Sequence, residues 1–554
     1  MGSTTESWEV IAAQHRSQAA AKIPPEWILS PKIISSVSET STQNVLCIPA
    51  TCGILSKEEI EITEKYDAVT LSALLREGKM KSVDVTMAFC KRAAIAQQLT
   101  FCLTEIMFDE ALERAKYCDE YLAKEGKPLG PFHGLPISLK DSFNVKGVKS
   151  TIGFVSFISN EPFTTESALV SILLSLGAVL YVKTNIPQTL MTADSQNNIF
   201  LRTLNPNSLH LTAGGSSGGE GALSALRGSI LGVGTDIAGS IRIPAYCNGI
   251  VGFKPSTRRI PNGGQTMPGR KGTWAILSCA GPICRSVSDA VFFTETVLGK
   301  DCWEIDESVI SAPWRSLPPL IGNGKKLKLG YFKEHPNWPL SPTISRVFAT
   351  AIEGLEKDGC EMIDLGPLLP KDIMVDAITL AFKMFSLDPA KTSFNNIAKS
   401  GEPLIPSINS IVIPGLEGFV PDLDSVWELN VEAKEMREKV RDVWIREGLD
   451  GIIMPVHQST APKHDQYGAP PYTVFVNVLD YPSTSLPFLK ANKKLDEPYI
   501  RKDITYTPPY EPEACEGAPG GFQLLGRNMR DEELLVVAKY VEGILKGIEN
   551  TIDG

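Results

Sequence analysis

Apolar positions recur at helical spacing through the first 130 residues. Residues 8–21 read as a short helix that Ile23-Pro24-Pro25 ends, since proline supplies no N–H and clashes with the preceding turn. A Ser/Thr/Pro-rich stretch, 30–49, follows. Val69, Leu71, Leu74 and Leu75 mark the apolar face of a second helix, and Ser82 is placed to cap a third that runs through Val85, Phe89, Ala93 and Ile95. Residues 109–124 carry a fourth. Beyond Gly130 the texture changes to short apolar runs broken by Gly and Pro. Residues 136–140, 178–183, 230–233 and 451–455 read as buried strands, with helical patterns at 166–176, 219–226 and 286–298 between them. Strands alternating with helices predict an α/β fold around a mostly buried sheet. Residues 1–66 read as an arm and linker wrapped on a larger unit, 67–554. Within that unit, about 299–439 is a helix-rich insertion or cover.

Composition narrows the class. The 554 residues carry 43% apolar and 21% charged side chains, as ordinary globular chains do, and the formal charge is −10. Binding through phosphates calls for the opposite sign, so nucleic acid is not an expected partner. The longest uncharged apolar tract, 167–182, is interrupted by serines and Gly177 and falls short of the roughly 20 residues that cross a bilayer. No cationic-then-apolar leader opens the chain, and a cytoplasmic protein without a membrane span is the expectation. The 11 cysteines include no Cys-x-x-Cys pair and the 6 histidines no His-x-x-x-His pair, so neither a zinc site nor a disulfide framework is expected.

The densest Gly/Ser tract is Ala213-Gly214-Gly215-Ser216-Ser217-Gly218-Gly219-Glu220-Gly221. A phosphate-binding P-loop would end in Gly-Lys-Ser/Thr, and Glu220 stands there instead. Gly232-x-Gly234 lacks the third glycine of a dinucleotide fingerprint. Gly214-x-Ser216-x-Gly218 fits a nucleophile elbow, which leaves His335, His457 or His464 as the downstream base of a Ser-His-Asp esterase. Standing alone, the tract reads as a flexible loop, since a five-residue match in so Gly- and Ser-rich a stretch carries little weight. Two further features accompany it. A second Gly/Ser turn runs Gly234-Thr235-Asp236-Ile237-Ala238-Gly239-Ser240-Ile241-Arg242, and a lysine closes the apolar strand at Leu139-Lys140-Asp141. By itself Lys140 would be a strand-end lysine snorkelling to water.

Taken together these residues resemble the amidase signature family. Its central pattern, Gly-Gly-Ser-Ser-Gly-Gly followed by Gly-x-Asp-x-Gly-Gly-Ser-x-Arg, is nearly complete here. The flanks agree at Gly130-Pro131-Phe132-His133-Gly134-Leu135-Pro136, Gly252-Phe253-Lys254-Pro255 and Gln523-Leu524-Leu525-Gly526. Within the family the chain looks most similar to fungal acetamidases, above all across 82–99. The resemblance implies a single large domain with a mixed, twisted sheet flanked by helices on both faces. It implies an amide hydrolase that works through a seryl acyl-enzyme without cofactor, takes a small-molecule amide, and admits a homodimer.

Carried over residue by residue, the resemblance implies Ser240 as nucleophile, Lys140 as base and Ser216, after a cis Gly215–Ser216 bond, as proton relay. The oxyanion hole would be the backbone N–H groups of Ile237, Ala238, Gly239 and Ser240. Ser216 and Leu190 would border the substrate, and Ser217, Asp236 and Arg242 would support the turn. This constellation answers the chemistry. An amide is a poor electrophile, its serine needs a base, and an ammonium accepts no proton, so Lys140 must be neutral and its pKa well below about 10.4. Three positions depart from the family pattern. Ala238 and Leu201 stand where glycine is common, and Ala213 stands where proline or cysteine is. Ala238 therefore sits at negative φ or alters the hole. Two alternatives keep the fold: a glutaminase-type amidotransferase subunit, and a catalytically impaired binding protein.

Overall fold

The computed structural model describes residues 6–272, 276–318, 326–409, 411, 413 and 415–553. Thirteen strands are present among them: β1 (Leu103–Ile106), β2 (Pro136–Lys140), β3 (Val179–Thr184), β4 (Gln196–Asn197), β5 (Leu201–Arg202), β6 (Leu231–Asp236), β7 (Val251–Lys254), β8 (Cys279–Cys284), β9 (Lys328–Tyr331), β10 (Glu361–Asp364), β11 (Gly451–Met454), β12 (Ser483–Lys490) and β13 (Pro519–Leu525). Eleven form one sheet, in the order β1-β3-β2-β6-β8-β7-β12-β13-β11-β9-β10, and β4 pairs with β5 as a separate ribbon. The sheet is mixed. β2 runs parallel to β3 and β6, whereas β8 lies antiparallel to β6 and β7.

Every residue of β2 and β3 is buried, polar ones included. That is why their sequences read as continuous apolar runs rather than alternating ones. β7, β8, β12 and β13 were illegible to pattern because each carries Gly or Pro within a short run. The stretch 299–439 supplies the edge strands β9 and β10 as well as helices, so the sheet extends through it.

Helix ends follow side-chain chemistry, local in some cases and remote in others. Ser286 accepts from the Asp289 N–H at the start of the helix Val287–Leu298. Ser82 does not cap the helix Ser82–Thr100, contrary to expectation. Its hydroxyl donates to Gly134 O, and the amides of Ser82 and Val83 are taken by the Asp119 carboxylate at 2.7 and 3.1 Å. The cap comes from another helix, which no local pattern records. Among the described residues no helix is long and apolar enough to cross a membrane. The N-terminal helix Trp8–Ala20 packs through Ala12 against Ile199 and Phe200, between β4 and β5, with the Arg16 guanidinium donating to Ile199 O at 2.6 Å.

Leu201, the departure at a common glycine position, sits at φ 67° and is 40% exposed. A bulky side chain there carries a left-handed penalty of roughly 1–2 kcal/mol, whereas glycine carries an unfolded-state cost of roughly 0.5–1 kcal/mol. Leu201→Gly is expected to raise stability by about 0.5–1 kcal/mol, measured as a rise in the denaturant midpoint with unchanged slope.

Candidate active site

Three pieces of chain meet at the end of β2. Lys140, the last residue of that strand, is wholly buried, and its Nζ lies 2.7 Å from Ser216 Oγ and 2.9 Å from Thr235 Oγ1. Burial lowers the ammonium pKa to about 7, although the carboxyls of Asp236 and Glu220 pull it upward. Ser216 follows a cis peptide bond from Gly215. Sequence reasoning did not single out Thr235. Its position at the end of β6, one strand over from Lys140, is what brings it to the amine.

The turn after β6 carries Ser240, which is 7% exposed. Its carbonyl accepts from the Ser217 N–H at 3.2 Å, so the two serine tracts are joined through backbone. The Ser240 hydroxyl makes no hydrogen bond among the described residues, to Ser216 or to any other group, while the buried Ser217 hydroxyl also has no partner among them. Leu190 lies in a loop where both Thr189 and Leu190 have positive φ, at 73° and 60°. It packs half-buried against Ile152, Phe154 and Ile186. The Gln188 side chain anchors that loop, donating to Glu402 at 2.9 Å and accepting from the Ile405 N–H at 3.2 Å. Further along, the same loop passes directly against Gly215, where an added Cβ would meet Thr192 O at 2.4 Å.

A buried ion pair shapes the turn that carries Ser240. Asp236 Oδ1 accepts from the Gly239 N–H at 2.9 Å, and Oδ2 from the Ile241 N–H at 3.2 Å. Arg242 grips both oxygens, at 3.0 and 3.1 Å, and its remaining donors reach Asn477, Thr473 O and Gln523. Burial alone would push the Asp236 carboxyl up, but Arg242 holds it well below the ordinary carboxylate range. One expectation changes here. The Gly239 N–H is committed to Asp236, which leaves the amides of Ile237, Ala238 and Ser240 without hydrogen bonds among the described residues.

Ala238 does not adopt positive φ, and its carbonyl accepts from Thr473 Oγ1 at 2.7 Å. The glycine that the turn requires is Gly239, at φ 121°, where a Cβ would lie 2.4 Å from Thr473 Oγ1.

The histidines are occupied elsewhere. His457 is buried between Ser459 O and Tyr467 O, and burial lowers it to about 4. His464 donates to Leu209 O at 2.9 Å and lies 3.8 Å from Asp194, and His335 bonds Lys371 O. None of the three bonds a serine of the two tracts.

A buried lysine bonded to Ser216, with none of these histidines bonded to either serine tract, does not fit a histidine-dependent esterase. Comparison with known proteins gives the class. The profile of the amidase family matches residues 84–535. An amidase of Gibberella moniliformis is 38% identical over 545 residues, covering 98% of this chain and 99% of that one. An acetamidase of Emericella nidulans is 38% identical over 560 residues, with 98% and 99% covered. A solved fatty acid amide hydrolase superimposes with a TM-score of 0.89 at 32% identity, covering 98% of this chain and 95% of that chain. The chain belongs to the amidase signature family and is an amidase.

The two neighbouring turn positions are expected to respond oppositely. Ala238→Gly should change turnover by no more than about fivefold, the cost of added backbone freedom. Gly239→Ala, which sets a methyl against Thr473, should lower kcat about 100-fold or more, the usual cost of a disturbed oxyanion donor set. Steady-state kinetics on the two purified variants checks both.

Proposed function

We propose that this amidase cleaves a small or medium carboxylic amide to the acid and ammonia or amine through an acyl-enzyme on Ser240. The observation that carries the reading is the 2.7 Å contact between a desolvated Lys140 amine and Ser216 Oγ. Neutral Lys140 takes the Ser216 proton as Ser216 takes the Ser240 proton, and Ser240 Oγ attacks the carbonyl carbon. The gap now separating the two serine hydroxyls closes as substrate seats, since catalytic hydrogen bonds commonly tighten only in the complex. The free N–H groups of Ile237, Ala238 and Ser240 receive the oxyanion, with Gly239 bound back to Asp236 to keep the turn rigid. The proton returns through Ser216 to the leaving nitrogen as the C–N bond breaks. Water then adds to the ester by the same route, releasing the acid and restoring Ser240.

The acyl group is an apolar one. Leu190, Met191, Ile237 and Ala238 are among the partly accessible side chains of the loops bordering the Ser240 turn, and none of the four carries charge. The names of the relatives, acetamidase and fatty acid amide hydrolase, bracket the same chemistry.

A fluorophosphonate probe should label Ser240 in the native protein and fail on Ser240→Ala, which separates an enzyme from a binding protein of this fold. Lys140→Ala should lose nearly as much hydrolysis as Ser240→Ala. The Lys140→Ala/Ser216→Ala double variant should resemble Lys140→Ala, because residues acting as a unit are non-additive. Activity requires neutral Lys140, so it should fall as pH drops through about 7. A Lys140→Ala variant with near-native rate and the same acid limb would exclude this mechanism.

A further inference from the structure

One buried acid beneath the site takes no part in the mechanism above. Glu220 lies in the first turn of the helix Gly218–Ala225 and is fully buried. Its Oε2 accepts from Ser138 Oγ at 2.6 Å and its Oε1 from Thr184 Oγ1 at 3.0 Å. Both donors are fixed by the sheet relative to Lys140. Ser138 precedes Lys140 by two residues on β2 and so faces the same side, and Thr184 is the register partner of Lys140 on β3. The third strand of the row makes room for the acid. Gly232 is the register partner of Ser138 on β6, and a Cβ there would lie 2.1 Å from Glu220 Oε2. Three adjacent strands are thus built around one carboxyl, on the side of β2 from which the base projects.

We propose that Glu220 is the buried counter-charge of Lys140: the carboxyl and the amine exchange one proton, GluH with neutral Lys against Glu⁻ with LysH⁺, so the titration of the base belongs to the pair. The proposal rests on Lys140 being the base. Burial raises the Glu220 carboxyl and lowers the Lys140 amine, so the two titrate in the same range, and interacting sites of this kind share macroscopic steps.

The other groups around the pair are buried thiols and a phenol or are bound into ion pairs. Burial raises the phenol of Tyr181 on β3 and the thiols of Cys90, Cys102, Cys247 and Cys284 on the neighbouring elements, which keeps them neutral. Arg92, on the helix Ser82–Thr100, pairs with Glu64; Lys183 on β3 pairs with Asp141; and Asp236, the other carboxylate acting on Lys140, is held ionised by Arg242.

A merely structural Glu220 would tie helix to sheet and leave the pH profile alone. The decisive measurement is the rate of fluorophosphonate labelling of Ser240 against pH, in wild type, Glu220→Gln and Lys140→Ala, with folding verified by circular dichroism. Gln keeps the shape and accepts from one hydroxyl but cannot ionise. Without the anion the ammonium is less favoured, so the acid limb of Glu220→Gln should move to lower pH by about one pH unit. An unmoved limb in folded Glu220→Gln, with the limb lost in Lys140→Ala, overturns the counter-charge and leaves the base in place. A limb that survives in Lys140→Ala overturns both. If Glu220→Gln does not fold, Ser138→Ala takes its place: losing one donor disfavours the carboxylate, so the limb should move the same way by a smaller amount, and no movement overturns the proposal.

Discussion

The Asp236–Arg242 pair is the constraint on which the rest of the site depends. Both side chains are wholly buried, and between them they engage two turn amides, Asn477, Gln523 and a carbonyl of the helix Pro471–Leu479. Removing either partner would strand a charge in the interior, at a cost of about 3–5 kcal/mol. What the pair secures is shape. By tying Gly239 inward it turns the neighbouring amides of Ile237, Ala238 and Ser240 away from the protein's own acceptors. A turn free to relax would find internal partners for those donors, as buried backbone groups nearly always do.

Electrostatics on the two sides of the nucleophile turn run in opposite senses. Asp236 is kept ionised by a cation that touches it, whereas Lys140 is pushed toward neutrality by burial, with hydroxyls and a carbonyl but no carboxylate in contact among the described residues. Two buried groups on adjacent strands thus keep unlike protonation habits, one set by an ion-pair partner and the other by desolvation. That separation lets one small volume hold both a fixed charge and an amine pushed toward neutrality.

Much of this was legible in the chain itself. The strands 136–140 and 178–183 were visible because central parallel strands are apolar on both faces, and the first serine tract became legible only beside the second Gly/Ser turn and the lysine closing an apolar strand. Three kinds of information were not local. The cap on the helix Ser82–Thr100 is Asp119, the partners of Arg242 are Asn477 and Gln523, and Thr235 meets Lys140 only through the pairing of β2 with β6. The commitment of Gly239 to Asp236 could not be read from composition either, because a glycine at a turn reports freedom of φ and not the direction of its N–H. Ala238 makes the complementary point. Its departure from glycine looked consequential on paper and is accommodated at negative φ, with the conformational demand falling one residue later.

Gln523 gives the fold a temporal property. It lies on β13, near the end of the chain, yet its amide joins Arg242 to Pro455 O and Tyr472 O. A ribosome delivers the N-terminal parts first, and contacts between distant segments form late. β2, which bears Lys140, and β6, which leads into the Ser240 turn, can pair long before β13 exists, but the brace behind that turn is complete only when nearly the whole chain has been synthesised. A nascent polypeptide therefore carries Lys140, Ser216 and Ser240 before the Gln523 contact to Arg242 can form. The shape of the Ser240 turn, which lies before the middle of the chain, thus depends on one of the last strands to leave the ribosome.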